Sequence, residues 1–162
     1  MSTGQQILVL GALILLSSFV LGVNTTESSQ IKSTITNQAI ITATSVSQSL
    51  MEQIQSESFD QKTVSNSVST PDSLTPPSSL GPDAGETNMI AYNDVDDYNN
   101  YNETDTLGIL GTFNLNVKVS YCTKMNPDIT SSVSTFSKRV DISIYNKFLI
   151  DTLKISKVIS YY

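Results

Sequence analysis

The chain has no histidine and no tryptophan, and its only cysteine is Cys122. One thiol cannot close an intramolecular disulfide, and a zinc site of the Cys/His type cannot be built. Without histidine, a serine, threonine or cysteine nucleophile lacks its usual base. The glycines at 81, 85, 108 and 111 fit no phosphate-binding loop with a lysine. Charge is also sparse, at 15% of 162 residues. The basic residues stand singly and form no aromatic-interleaved run, so no nucleic-acid platform is expected. Together these absences point away from an enzyme. Paired carboxylates remain available for acid–base work, but Ser/Thr/Pro-rich loops offer them no rigid pocket.

The charge that is present is unevenly placed. From Glu52 to Asp105 there are eleven acidic residues against one lysine, Lys62. From Thr106 to Tyr162 there are seven Lys/Arg against three Asp. An acidic middle and a basic end can attract one another within a subunit or between subunits, or simply form a mixed, solvated surface.

Residues 7–23 are an apolar run, ILVLGALILLSSFVLGV, with no charge before Glu27. Seventeen helical residues span roughly 26 Å, against a hydrocarbon core of about 30 Å. Ile7, Leu8, Leu10, Leu13, Ile14, Leu16, Phe19 and Val20 are the membrane or assembly residues of this helix. Three readings stay open. A cleaved signal peptide needs a basic start, and no Lys or Arg occurs before Lys32. A plain membrane anchor fits the length. The third reading takes residues 1–4 as a short leader ending in Gly4, cut before Gln5, with the apolar helix 5–26 retained.

Beyond Thr26, Ile31, Ile35, Ala39, Ala43, Val46, Leu50 and Ile54 recur at helical spacing, with Ser, Thr, Asn and Gln between them. No Pro or Gly intervenes between Val23 and Pro71. The spacing predicts an amphipathic helix over 27–58 continuing the apolar one. A strand over 39–46 is the alternative, because Ser and Thr are mediocre helix formers. Residues 59–91 hold four of the five prolines and read as a loop, with Phe59 pinning it back on the helix end.

The remaining segment, 92–162, reads as a β-rich head preceded by an acidic loop, 92–105. Phe113, Leu115, Val117, Val119 and Tyr121 alternate with polar residues, as do Val140, Ile142 and Ile144. Leu153, Ile155, Ile159 and Tyr161 mark a third strand that Lys157 interrupts, which predicts a bulge or an edge position. Three such strands form an antiparallel meander with one apolar face. The helix stripe of Ile31, Ile35, Ala39, Val46, Leu50 and Ile54 is its expected cover, giving an α+β fold.

The acidic loop is the site-like feature. Hard oxygen ligands at alternate positions suit calcium, making Asp94, Asp96, Asp97 and Asp105 candidate ligands. Tyr98 and Asn99 occupy positions where an EF-hand loop needs a ligand and a glycine, so that match is weak. The other reading is a solvated loop whose Asp and Asn side chains cap turns. No other cofactor is implied.

Long half-apolar helix, loop and antiparallel sheet together resemble the type IV pilin-like proteins. Two local stretches add to this. Asn93-Asp-Val-Asp-Asp-Tyr-Asn99 is similar to a segment of minor pilins of the mannose-sensitive haemagglutinin type, and Phe59-Asp-Gln-Lys-Thr63 is similar to the stretch after their helix. The chain departs from the pilin pattern at Val9, where those proteins carry Glu, and in having no basic leader residue. The resemblance implies a structural subunit of a type IV pilus-like filament or secretion pseudopilus. It would be membrane-anchored first and then at the cell surface or in the periplasm. Its partners would be further copies, other pilin-like subunits and an inner-membrane assembly platform. The alternative is a membrane-anchored extracytoplasmic binding or adhesion module that does not polymerise. A secreted hydrolase is a third, weaker class.

Overall fold

A computed structural model describes residues 2–161 of the chain. Its first element is one helix, α1, Thr3–Ser56. A short helix, α2 (Gln61–Ser65), follows, and then the strands β1 (Asn102–Thr106), β2 (Thr112–Tyr121), β3 (Ser137–Asn146) and β4 (Leu153–Ser160). The strands form one antiparallel sheet in the order β1-β2-β3-β4. The fold is α+β, a long N-terminal helix packed on a four-stranded sheet. The chain divides into two units, one ending at Gln38 and the other beginning at Ala39.

In the second unit, the buried residues of α1 are Ala39, Ala43, Ser47, Leu50, Met51 and Ile54. They form one core with Val95, Tyr98 and the inward row of β2 and β3: Phe113, Leu115, Val117, Val119, Val140, Ile142 and Ile144. Two alanines and a serine leave the helix backbone little stand-off, so the sheet seats closely there. Leu50, Met51 and Ile54 fill the wider end. Each fully buried side chain of the Leu or Ile size contributes about 1.5–3 kcal/mol.

The stripe expected from sequence is therefore shorter and rotated. Ile31 is 61% exposed, Ile35 is only half-buried, and Val46 is 41% exposed. At about 100° per residue, each four-residue step turns the stripe by about 40°. Ile31 falls about 80° behind Ala39 and about 140° behind Ile54, and Val46 falls about 20° outside the buried arc at its Ala39 edge, the edge opposite Ser47 and Met51.

The sheet has one strand more than the periodicity of the C-terminal third predicts. Residues 102–105, expected as loop, belong to β1, which pairs with β2 from Asn102 opposite Asn116 to Thr106 opposite Thr112. A strand of Asn, Glu, Thr and Asp lacks the apolar alternation that identifies the others, and all five of its residues are exposed. β4 pairs with β3 residue for residue, so Lys157 marks an edge strand and not a bulge.

The proline-rich segment is packed rather than free. Phe59, Val68, Leu74 and Tyr121 form a second apolar cluster, which Leu80, Phe136 and Tyr161 flank. Phe59 lies 5.6 Å from the ring of Tyr161, so it pins the loop to the sheet. Separately, the turn from β1 to β2 passes through Gly111, whose φ of +70° suits glycine and whose missing side chain leaves room for the Lys147 stem.

Candidate functional site

Two features of the chain are chemically unusual: an apolar helix with no cover, and charges with no solvent. In the first unit, Ile7, Leu8, Leu10, Leu13, Ile14, Leu16, Phe19 and Val20 are all exposed. An 18-residue window here is long and apolar enough to cross a membrane, and none of it is buried. Such an apolar N-terminal helix has the properties of a membrane anchor or a signal sequence. Where the apolar run ends, the hydroxyls of Thr25 and Thr26 both donate to the Gly22 carbonyl at 2.9 Å. These polar groups are thereby satisfied within the helix and need no water. Gly4 and Gln5 lie in the first turn of α1, and the Gln5 side chain accepts from the Ser2 backbone N–H at 3.1 Å. Met1 of the expected leader lies outside the described residues.

The second feature lies in the head. Lys138, on the inward row of β3, is fully buried. Its Nζ donates to the Phe59 carbonyl at 2.7 Å, Asp60 Oδ2 at 3.0 Å and Asp96 Oδ1 at 2.6 Å. The Phe59 and Tyr121 rings lie 4.7 and 5.2 Å from the ammonium, in cation–π range. All three ammonium protons thus have acceptors, as a buried charge requires.

Asp60 is as fully engaged. One oxygen caps α2 through the Lys62 N–H, and Thr63 reciprocates by accepting from the Asp60 N–H. The carboxylate also accepts from the Thr75 backbone and hydroxyl. The Tyr121 hydroxyl lies 3.0 Å from Asp60 Oδ2 and 2.8 Å from the Thr75 carbonyl. Burial pushes the Asp60 carboxyl up, but the Lys138 charge and these donors outweigh it and hold it below the usual carboxylate value.

The Asn93–Asn99 tract folds as a reciprocal turn. Asp94 Oδ1 accepts from the N–H groups of Asp96 and Asp97, and Asp97 Oδ2 accepts from those of Asn93 and Asp94. Val95 and Tyr98 are thereby driven into the core, and the Val95 N–H bonds the Ser58 carbonyl at 2.9 Å. Asp94 Oδ2 is buried with no donor. Burial first, and the neighbouring Asp96 and Asp97 second, push the Asp94 carboxyl up to about 9. Both effects favour its protonated form, and the neighbouring Asp96 faces Lys138. Burial also raises Asp97.

Asp94 and Asp97 thus cap their own turn, as one reading of the tract expects, but they do so buried and not in a solvated loop. Asp94, Asp96 and Asp97 are buried, whereas Asp105 stands exposed on β1 opposite Phe113. Among the described residues no three His, Cys, Asp or Glu side chains converge as a metal-ligand group. Asp94 Oδ1 and Asp97 Oδ2 accept from backbone N–H groups of the turn, and the cation that Asp60 and Asp96 hold is Lys138.

Lys138 and Asp60 form a buried ion pair that the sequence patterns do not single out. The available signal was phase: Lys138 shares the inward row of Val140, Ile142 and Ile144 and must be buried with them. Chemically, the cluster ties the helix exit (58–60), the acidic turn (94–97) and β3 into one unit. It presents no nucleophile to solvent. No protein-family profile, curated protein or solved structure matches this chain.

Proposed function

We propose that the chain is a structural subunit of a type IV pilus-like filament or secretion pseudopilus. The apolar part of α1 holds each copy in the membrane and later packs against like helices in the assembly. The observation that carries this reading is the continuity of α1: an apolar segment with no cover in one copy runs unbroken into the segment that forms the core of the head. A helix with no internal apolar partner finds one in lipid or in other copies of itself. In lipid, dispersion contacts and close approach at small residues such as Gly11 drive helix association. The ion cluster supports the same reading, because it fixes the chain just beyond the end of α1, at Phe59 and Asp60, to β3 of the head.

Two measurements on cell-surface material test the proposal. Mass spectrometry should find residues 7–23 retained in the mature protein, and electron microscopy of sheared material should find filaments containing it. A mature N-terminus beyond Gly22 would remove the assembly helix and end the filament reading.

A further inference from the structure

The sheet ends in two open edges, β1 on one side and β4 on the other. Among the described residues, neither strand makes a backbone–backbone hydrogen bond on its outer edge, where the Thr106 N–H donates to the Asp105 side chain. Open edges are templates for another strand, and charge decides which strand is admitted. The two edges here have opposite sign. β1 carries Glu103 and Asp105 opposite the inward residues Leu115 and Phe113, so both point to the helix side of the sheet. β4 carries Lys157 opposite the inward Val140, on that same side, and Lys154 on the other. All four are exposed, and among the described residues none belongs to an ion pair, the pairs there being those of Lys138 and Arg139. The Glu103 carboxylate accepts from the Tyr101 hydroxyl at 3.1 Å.

Like edges repel. A β1–β1 contact sets carboxylates opposite carboxylates, and a β4–β4 contact sets lysines opposite lysines. Only β4 against β1 is complementary. Strand direction agrees with this choice. The four strands alternate, so β1 of a second copy in the same orientation runs antiparallel to β4 and keeps its helix side on the same face.

We propose that β4 of one copy pairs antiparallel with β1 of a second copy, with Lys157 opposite Glu103, so that the sheet continues from subunit to subunit. In this register Ser156 faces Thr104, Ile159 faces Tyr101 and Leu153 faces Leu107, while Asp105 lies diagonal to Lys157. The contact is head to tail, uses a different surface on each copy, and leaves both ends open for further addition. The inference rests on the reading that copies of this chain assemble, and adds the contact between their heads.

The test is oxidative cross-linking of the full chain in membranes of the expressing cell. Cys122 is buried and left in place. Glu103→Cys with Lys157→Cys in one chain should convert most of the monomer into a ladder of dimers, trimers and higher species. Each single variant should give no species beyond dimer. A separate Leu16→Cys variant reports on contact between the apolar helices. If it cross-links while the double variant stays monomeric, the edge pairing is wrong and the assembly reading stands. If neither cross-links, both fall. A ladder from Glu103→Cys alone would also overturn the pairing. The outer-face pair Thr104→Cys with Ser156→Cys checks the charge argument. Adding Lys157→Glu should reduce its ladder at least fivefold, and adding Glu103→Lys as well should restore it. An unchanged ladder with Lys157→Glu would overturn the charge complementarity on which the proposal stands.

Discussion

Lys138 Nζ stands 2.6 Å from Asp96 Oδ1, with the side chains 0% and 3% exposed, on segments 42 residues apart in sequence. A buried pair of this kind is weak support for stability in itself, since desolvation offsets much of the attraction. Its consequence appears when one partner is removed.

Lys138→Ala leaves Asp60 and Asp96 facing each other with no cation. The expected loss is about 3–5 kcal/mol in urea unfolding of the full chain in detergent micelles. Replacing the set by Lys138→Met with Asp60→Asn and Asp96→Asn removes the charges together and should recover much of that loss. If the single and triple variants lose equal stability, uncompensated charge is not the cause.

Asp94 gives the head a pH dependence of definite sign. Its folded-state pKa, raised to about 9, lies above the ordinary value of 3.8. Between these values the folded state binds a proton that the unfolded chain has released. The Asp94 contribution to stability is therefore full below 3.8 and declines as pH rises toward 9. Asp94→Asn keeps an oxygen for the Asp96 and Asp97 N–H groups and supplies a permanent donor in place of the proton. The variant should exceed the parent by about 1–3 kcal/mol at pH 8 and lose most of that advantage at pH 5. Thermal unfolding at the two pH values checks it. Asp60 acts in the opposite sense: its lowered pKa stabilises above 3.8, and that contribution is lost as pH falls through the folded value.

How far the sequence could be read depended on how repetitive the local signal was. β2 and β3 alternate over ten residues each, and their inward rows are legible one by one. β1 is short and wholly polar, so only its pairing with β2 defines it as a strand. The helix was legible in extent but not in phase, because a four-residue repeat drifts around the axis and fits several faces. Burial of Ser47 in place of Val46 is a tertiary choice, set by where the sheet lies. The ion cluster was hardest to see. Its members stand at 60, 96 and 138, and no local pattern links an aspartate in a turn to a lysine on a strand.

That drift has a measurable consequence. Ile54 is fully buried, whereas Ile31 is exposed on the same helix. Ile54→Ala should cost the head about 2–5 kcal/mol, as for other core truncations of Ile. Ile31→Ala should change head stability by less than about 0.5 kcal/mol. Chemical denaturation followed by tyrosine fluorescence compares them. Equal losses would place Ile31 in the core and contradict the packing described.

Leu13 tests the apolar half of α1 separately from the head. It is exposed and sits near the middle of the apolar run. A lysine at the centre of a membrane helix costs about 2.5–3.5 kcal/mol on insertion scales, while a leucine there is favourable. Leu13→Lys should therefore shift the chain from the membrane toward the soluble fraction. It should also reduce any assembled material, because a charge is no better tolerated among packed apolar helices. The head should be untouched, since its core begins at Ala39. Fractionation and head unfolding on the same sample separate the two effects. A variant that still partitions wholly into membranes and still assembles would show that residues 7–23 do not carry the function proposed for them. A variant that loses membrane binding while the head unfolds at the parental denaturant concentration would assign anchoring and assembly to this segment of the helix.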